Sequence, residues 1–167
     1  PPPSRILLCY EGDLMSSMYR KKVVDKVHRR LKVQGIPVHI DRPKGTVTSG
    51  VGPDGRRWSR EYLYDYGFIP RTDGGDGEGI DVYLGPDASD EAHWVLQKDV
   101  EGDFDEYKVF LGFSSRAAAK KAYLHHGPPF GYGGMVTMRL PMLRAMLGVA
   151  PLDKLASVRR ALRDSLR

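Results

Sequence analysis

Only one cysteine, Cys9, occurs in 167 residues, so no internal disulfide can staple the fold and a reducing compartment is expected. No apolar run approaches the roughly 20 residues that a membrane-spanning helix needs, and no charged-then-apolar leader precedes a cleavage site. No membrane partner is therefore expected. The Gly-x-Ser-x-Gly elbow, the phosphate-cradling P-loop and the His-Glu-x-x-His zinc helix are also missing, which removes three common catalytic classes. There is no internal repeat, and the only low-complexity stretch is Pro1-Pro2-Pro3. That opening lacks a methionine and suggests a trimmed chain or a piece of a longer one.

What is present is an ordinary globular composition, 41% hydrophobic and 28% charged, enough for one core. The formal charge of +5 invites a nucleic-acid reading, but its distribution is uneven. Residues 1–36 carry +5, residues 37–113 carry −8 and residues 114–167 carry +8. An acidic centre repels itself unless cations sit within it. Solvated loop acids are the plainer alternative.

Apolar spacing at Val23, Val24, Val27 and Leu31 predicts a basic helix from Met18 to Leu31. Period two then takes over, with strands expected around Leu31–Val33 and Val38–Ile40. Gly52-Pro53-Asp54-Gly55 reads as a hairpin turn after Thr46-Val47-Thr48. Ile80–Leu84 alternates cleanly, with Asp81 opposite the apolar row. Further strands are expected at Trp94–Gln97 and Tyr107–Leu111. Ser114-Ser115 caps a helix through Leu124, Pro141 opens a short helix, and Pro151 opens a last one. Trp58 and Trp94 are read as core or cavity wall, and His125-His126 as loop surface. The expected class is α+β, a small OB-like antiparallel β-barrel with C-terminal helices packed against it. Expected boundaries are a basic leader over 1–30, the barrel with flanking helices over 31–148 and a helical extension over 149–167.

Chemistry concentrates between Tyr66 and Asp81. Asp73, Asp76, Glu78 and Asp81 fall within nine residues, interleaved with glycines that let the backbone bend sharply. Convergent carboxylates suit a hard cation, Mg²⁺ above all, which keeps waters and phosphate oxygens as further ligands. EF-hand and Gly-rich calcium repeats do not match the spacing. An acidic Gly-rich turn without a ligand stays open as the alternative. A second acidic group, Asp99 to Glu106, precedes Lys108. Glu106 and Lys108 are two apart and should share a strand face. Lys44, Arg56, Arg57 and Arg71 are further candidates for phosphate contact.

Tyr66-Gly67-Phe68-Ile69 followed by Asp76-Gly77-Glu78-Gly79-Ile80-Asp81-Val82 resembles the core of the soluble family I inorganic pyrophosphatases. Two departures are Glu78, where the family has Asp, and Gly79, where it has Pro. The chain is more closely similar to the pyrophosphatase-like domain of bacteriophage polyvalent proteins, through Gly35 to Gly45, Phe104 to Phe113 and Gly133-Gly134. The resemblance implies that Asp76 and Asp81 hold Mg²⁺, with Mn²⁺ as a substitute. It implies Glu78 beside the attacking water, Asp99 and Glu106 as the second acidic pair, and Lys108 as the phosphate-binding lysine. Tyr62 and Tyr66 match the paired site tyrosines, and Asp41 the acid ending the first barrel strand. A hairpin cation is expected near Thr48, where Arg56 or Arg57 would substitute. Tyr123, with Lys120 and Lys121, lies on a helix where the family has a late Tyr-Lys pair. The implied activity is Mg²⁺-dependent hydrolysis of pyrophosphate or another phosphoanhydride in a bacterial cytoplasm, with a phage association. The alternative is a phage-derived accessory or structural module that binds nucleic acid or a protein through its basic ends without hydrolysis. Either could act as a homo-oligomer or as part of a larger phage protein.

Overall fold

Alternating burial organises nine strands among the described residues of a computed structural model, which describes residues 27–52, 54–75 and 78–147. Most of the expected leader helix, Cys9, Asp76 and the helix expected from Pro151 lie outside the described residues. In order, the elements are β1 (Arg29–Val33), β2 (Ile36–Arg42), β3 (Val47–Val51), β4 (Arg57–Glu61), β5 (Asp65–Ile69), β6 (Ile80–Leu84), β7 (Glu91–Lys98) and β8 (Phe104–Leu111). Then follow α1 (Arg116–His126), β9 (Tyr132–Arg139) and α2 (Leu140–Leu147).

Seven strands form one sheet in the order β1-β2-β5-β6-β8-β7-β9, and β3 and β4 form a separate hairpin. Every pairing is antiparallel except β6 with β8. The fold is α+β and barrel-like, but the sheet does not close, because β1 and β9 remain its edges. Gln34 and Gly35, at φ 47° and 88°, make the two-residue turn between β1 and β2.

The sheet has two unlike faces. Ile36, Val38, Ile40, Ile80, Val82, Trp94, Val109 and Leu111 fill one, closed by Leu140 and Leu143 of α2. Each such aliphatic side chain contributes about 1.5–3 kcal/mol on burial. The other face is aromatic: Tyr62, Tyr66, Tyr83, Phe110, Phe113 and Tyr123, with Ala119 and Ala122 of α1.

Three expectations change. The chain over Arg29–Val33 is a strand where the helix was to end, because it finds a partner ladder in β2. β9 was not anticipated, since Gly133-Gly134 reads as a break. Trp58 is 37% exposed on the hairpin, set across from Gly50, whereas Trp94 is in the core. Helix α1 begins as expected, with the Ser115 hydroxyl accepting the Ala118 N–H at 3.1 Å, and runs on to His126.

Candidate active site

Gly67 shows how the site is framed. A Cβ there would lie 1.8 Å from the His39 carbonyl oxygen, so only glycine lets β5 approach β2 this closely. Beside that contact the ladder shifts register, pairing Ile40 with Gly67 and Arg42 with Tyr66. Asp41 is the extra residue of this bulge. Simple alternation would send Arg42 to the dry face with Ile40; the bulge turns it to the aromatic face instead.

There Asp41 and Arg42 join Arg60 of β4, Tyr62, Tyr66, Asp81 and Tyr83 around a cavity of about 550 Å³. Gln97 of β7, Glu106 and Lys108 of β8, Glu78 before β6 and His126 at the end of α1 complete the wall. The parallel register sets Asp81 directly beside Lys108. Lys108 Nζ donates to Asp81 Oδ2 at 2.6 Å and to Glu106 Oε1 at 2.9 Å. Tyr66 donates its hydroxyl to the same Asp81 oxygen at 2.5 Å. Gln97 Nε2 donates to Glu106 at 2.9 Å and to Asp105 at 2.9 Å, and its carbonyl accepts the Tyr123 hydroxyl at 3.1 Å.

These contacts set the charge states. Burial pushes the Glu106 carboxyl up to about 8, and nearby Asp81 adds to it against the pull of Lys108. Burial also opposes the Asp81 carboxylate, but Lys108 and its hydrogen bonds outweigh that and hold it below the usual range. The pair therefore keeps its charge on Asp81 and a proton on Glu106. Burial pulls on the Lys108 ammonium too, yet Asp81, Tyr66 and Glu106 keep it firmly charged. Burial raises Asp41 to about 6, Arg42 opposing and Asp81 assisting.

The Arg42 guanidinium lies 5.4 and 5.1 Å over the Tyr62 and Tyr66 rings and donates to the Tyr62 hydroxyl at 2.7 Å. Asp41 Oδ1 and Arg42 Nε are buried without a hydrogen-bond partner. His126 is buried: its Nε2 accepts the Leu63 N–H at 3.0 Å and its Nδ1 donates to the Ala122 carbonyl at 2.8 Å. Burial depresses its pKa, so the ring is neutral and pins the 62–66 segment to α1.

The family model for Inorganic Pyrophosphatase matches residues 16–147. The chain belongs to the inorganic pyrophosphatase family. No curated protein and no solved structure matches it.

Within this pyrophosphatase-family cavity stand seven expected residues: Asp41, Tyr62, Tyr66, Glu78, Asp81, Glu106 and Lys108. Asp76 lies outside the described residues. Tyr123 is behind the wall, holding Gln97 rather than facing the cavity. Four expected residues are placed outside the cavity. Asp99 sits in the β7–β8 turn, where its carboxylate accepts the Asp103 N–H at 2.9 Å; Gln97, two residues earlier, takes the cavity position. Lys44 is in the exposed turn after β2, and its backbone N–H donates to Asp65. Arg56 pairs with Asp54 on the hairpin turn at 3.7 Å, and Arg57 is exposed on β4. Arg60, three residues on, is the hairpin cation that reaches the cavity.

Arg42, Arg60, Gln97, Tyr83 and His126 were missed. The bulge hid Arg42. Arg60 shares its strand side with Trp58, whose ring it overlies at 5.8 Å, and that pairing was the available signal. His126 was read as loop surface because Gly127-Pro128 follows it, yet α1 extends far enough to bury it.

Proposed function

We propose that the protein hydrolyses a phosphoanhydride, pyrophosphate first, with a divalent cation. The observation that carries this reading is the convergence of Asp81, Tyr66, Glu106 and Lys108 in one cavity of a pyrophosphatase-family chain. Among the described residues no three His, Cys, Asp or Glu side chains are spaced to hold a metal ion. The donor chemistry nevertheless suits one, since four carboxylates line the cavity and Asp41 Oδ1 is buried without a partner. Asp81 and Asp41 would hold Mg²⁺, waters and phosphate oxygens completing its ligands, with Asp76 as a further donor. Once bound, such an ion neutralises phosphoryl oxygens and lowers the pKa of its water.

The chain's own groups supply the rest. Tyr66 fixes the orientation of the Asp81 carboxylate. Lys108 offers a permanent ammonium to the charge that develops as the phosphorus–oxygen bond breaks. Glu78 receives the proton of the attacking water. Arg60 binds the leaving phosphoryl group. The motif order shared with phage polyvalent proteins supports a bacterial cytoplasmic setting with phage association.

One observation favours a second reading. Lys108 already compensates the Asp81 carboxylate, the cation's own place being partly taken by an ammonium. A retained barrel that binds without hydrolysis would look the same, and exposed Arg29, Arg30 and Lys32 on edge strand β1 would then meet a polyanion. Purified protein with Mg²⁺ and pyrophosphate decides. Phosphate release that is lost in Asp81→Asn supports hydrolysis, and no release from pyrophosphate or nucleotide anhydrides favours the binding module.

A further inference from the structure

We propose that Arg42 binds a phosphoryl group of the substrate, a second arginine in the cavity beside Arg60. This rests on the anhydride reading and names a residue that the motif pattern does not contain. Arg42 reaches the cavity only because the bulge at Asp41 reverses its side. Its guanidinium is then held on three sides: the Tyr62 hydroxyl accepts one N–H, and the Tyr62 and Tyr66 rings lie within 5.5 Å. A planar fork stacked this way is pre-organised, so little freedom is lost when it binds an oxyanion.

The decisive feature is what remains unsatisfied. Arg42 Nε is buried and donates to nothing, although Asp41, with its own unpartnered Oδ1, is next in the chain. The two neighbours do not use these atoms on each other. A buried guanidinium N–H without an acceptor is costly, so this placement of the guanidinium is not explained by hydrogen bonding within the protein. The side chain as a whole lines the cavity, where an oxyanion would meet its charge. Lys108 Nζ lies 5.7 Å from the centre of the Tyr66 ring that Arg42 overlies at 5.1 Å, so two cations border one ring. Both residues line the cavity, and an anion with two linked phosphoryl groups offers an oxyanion to each cation, where a single phosphate offers one group.

The test is calorimetric titration of methylene bisphosphonate into wild type, Arg42→Lys and Arg42→Gln with Mg²⁺ present, alongside melting curves. Charge-assisted hydrogen bonds of this kind correspond to a loss of roughly ten- to a hundredfold in affinity for Arg42→Gln. Arg42→Lys keeps the charge and should recover part of that loss, with inorganic phosphate affected less than the bisphosphonate in both variants. Wild-type binding with Arg42→Gln equal to it overturns the role of Arg42 and leaves the anhydride reading standing. Absence of wild-type binding overturns both. Should Arg42→Gln melt early, Arg42→Lys decides: affinity unchanged for both ligands overturns the proposal, and a selective loss for the bisphosphonate supports it.

Discussion

The two faces of one sheet are built by different rules. On the dry face Ile40, Val82, Trp94, Val109 and Leu111 interlock with α2, and nothing there must ionise. On the wet face the same strands present Asp41, Asp81, Glu106 and Lys108 beneath a ring of tyrosines. Strand β6 carries both, Ile80 and Val82 on one side, Asp81 and Tyr83 on the other. The dry face is stabilised by apolar packing alone, with no charge to balance. The wet face depends on compensation, so each group there matters mainly through its neighbours. Stability and chemistry are therefore separable by residue parity along a single strand.

The largest expected effect breaks that comparison at Asp81. Asp81→Asn keeps shape and volume but removes the charge that Lys108 and Tyr66 hold. Phosphate release should fall roughly hundred- to thousandfold, while the melting temperature changes by only a few degrees. A collapse of the fold instead would mean that the wet face is structural. The mirror experiment is Leu111→Ala on the dry face. It should cost about 2–5 kcal/mol of stability in urea unfolding, with turnover per folded molecule unchanged.

How far these faces were legible follows from the same distinction. Period two identified β2, β6, β7 and β8, because burial on one side imposes it. Asp81, Glu106 and Lys108 were legible for the same reason: Glu106 and Lys108 share a face by parity, and Asp81 opposes the apolar row of β6. Arg42 was not, since one bulge residue inverts parity locally. Asp99 misled because a turn acid that satisfies Asp103 N–H has the same spelling as a ligand. Arg60 and His126 reach the cavity from a separate hairpin and a helix end, and no local pattern records where such elements dock.

A third prediction concerns the contact between α1 and the 62–66 segment on the wet face. His126→Ala removes the acceptor for the Leu63 N–H. Leaving that amide unpaired costs about 1–3 kcal/mol, and the 62–66 segment that carries both cavity tyrosines should loosen with it. Hydrogen exchange at Leu63 and Tyr64 should quicken, with little change in the core strands. Equal quickening in β6 and β8 would show that the faces are not separable.

The smallest effect is a pH slope, and its sign differs between the faces. The dry face named above is built from apolar side chains, whereas Glu106 on the wet face titrates at about 8, raised from its ordinary 4.5 by burial. An acid whose folded pKa is raised contributes stability that is whole below its unfolded pKa and is lost as pH rises through the folded value. The histidines with depressed values, His39, His93 and His126, act the opposite way, an effect that fades only as their unfolded-state rings lose the last of their protons. Between about pH 7.5 and 8.5 they are nearly all neutral in both states and Asp41 is ionised in both, leaving Glu106 in command. In EDTA the unfolding free energy should therefore decline across that window, by at most about 1.4 kcal/mol per pH unit for one proton. Glu106→Gln should flatten the slope, and Leu111→Ala should shift the whole curve down without changing its shape. A slope that survives Glu106→Gln would place the titrating proton elsewhere and remove Glu106 from the compensated group around Lys108.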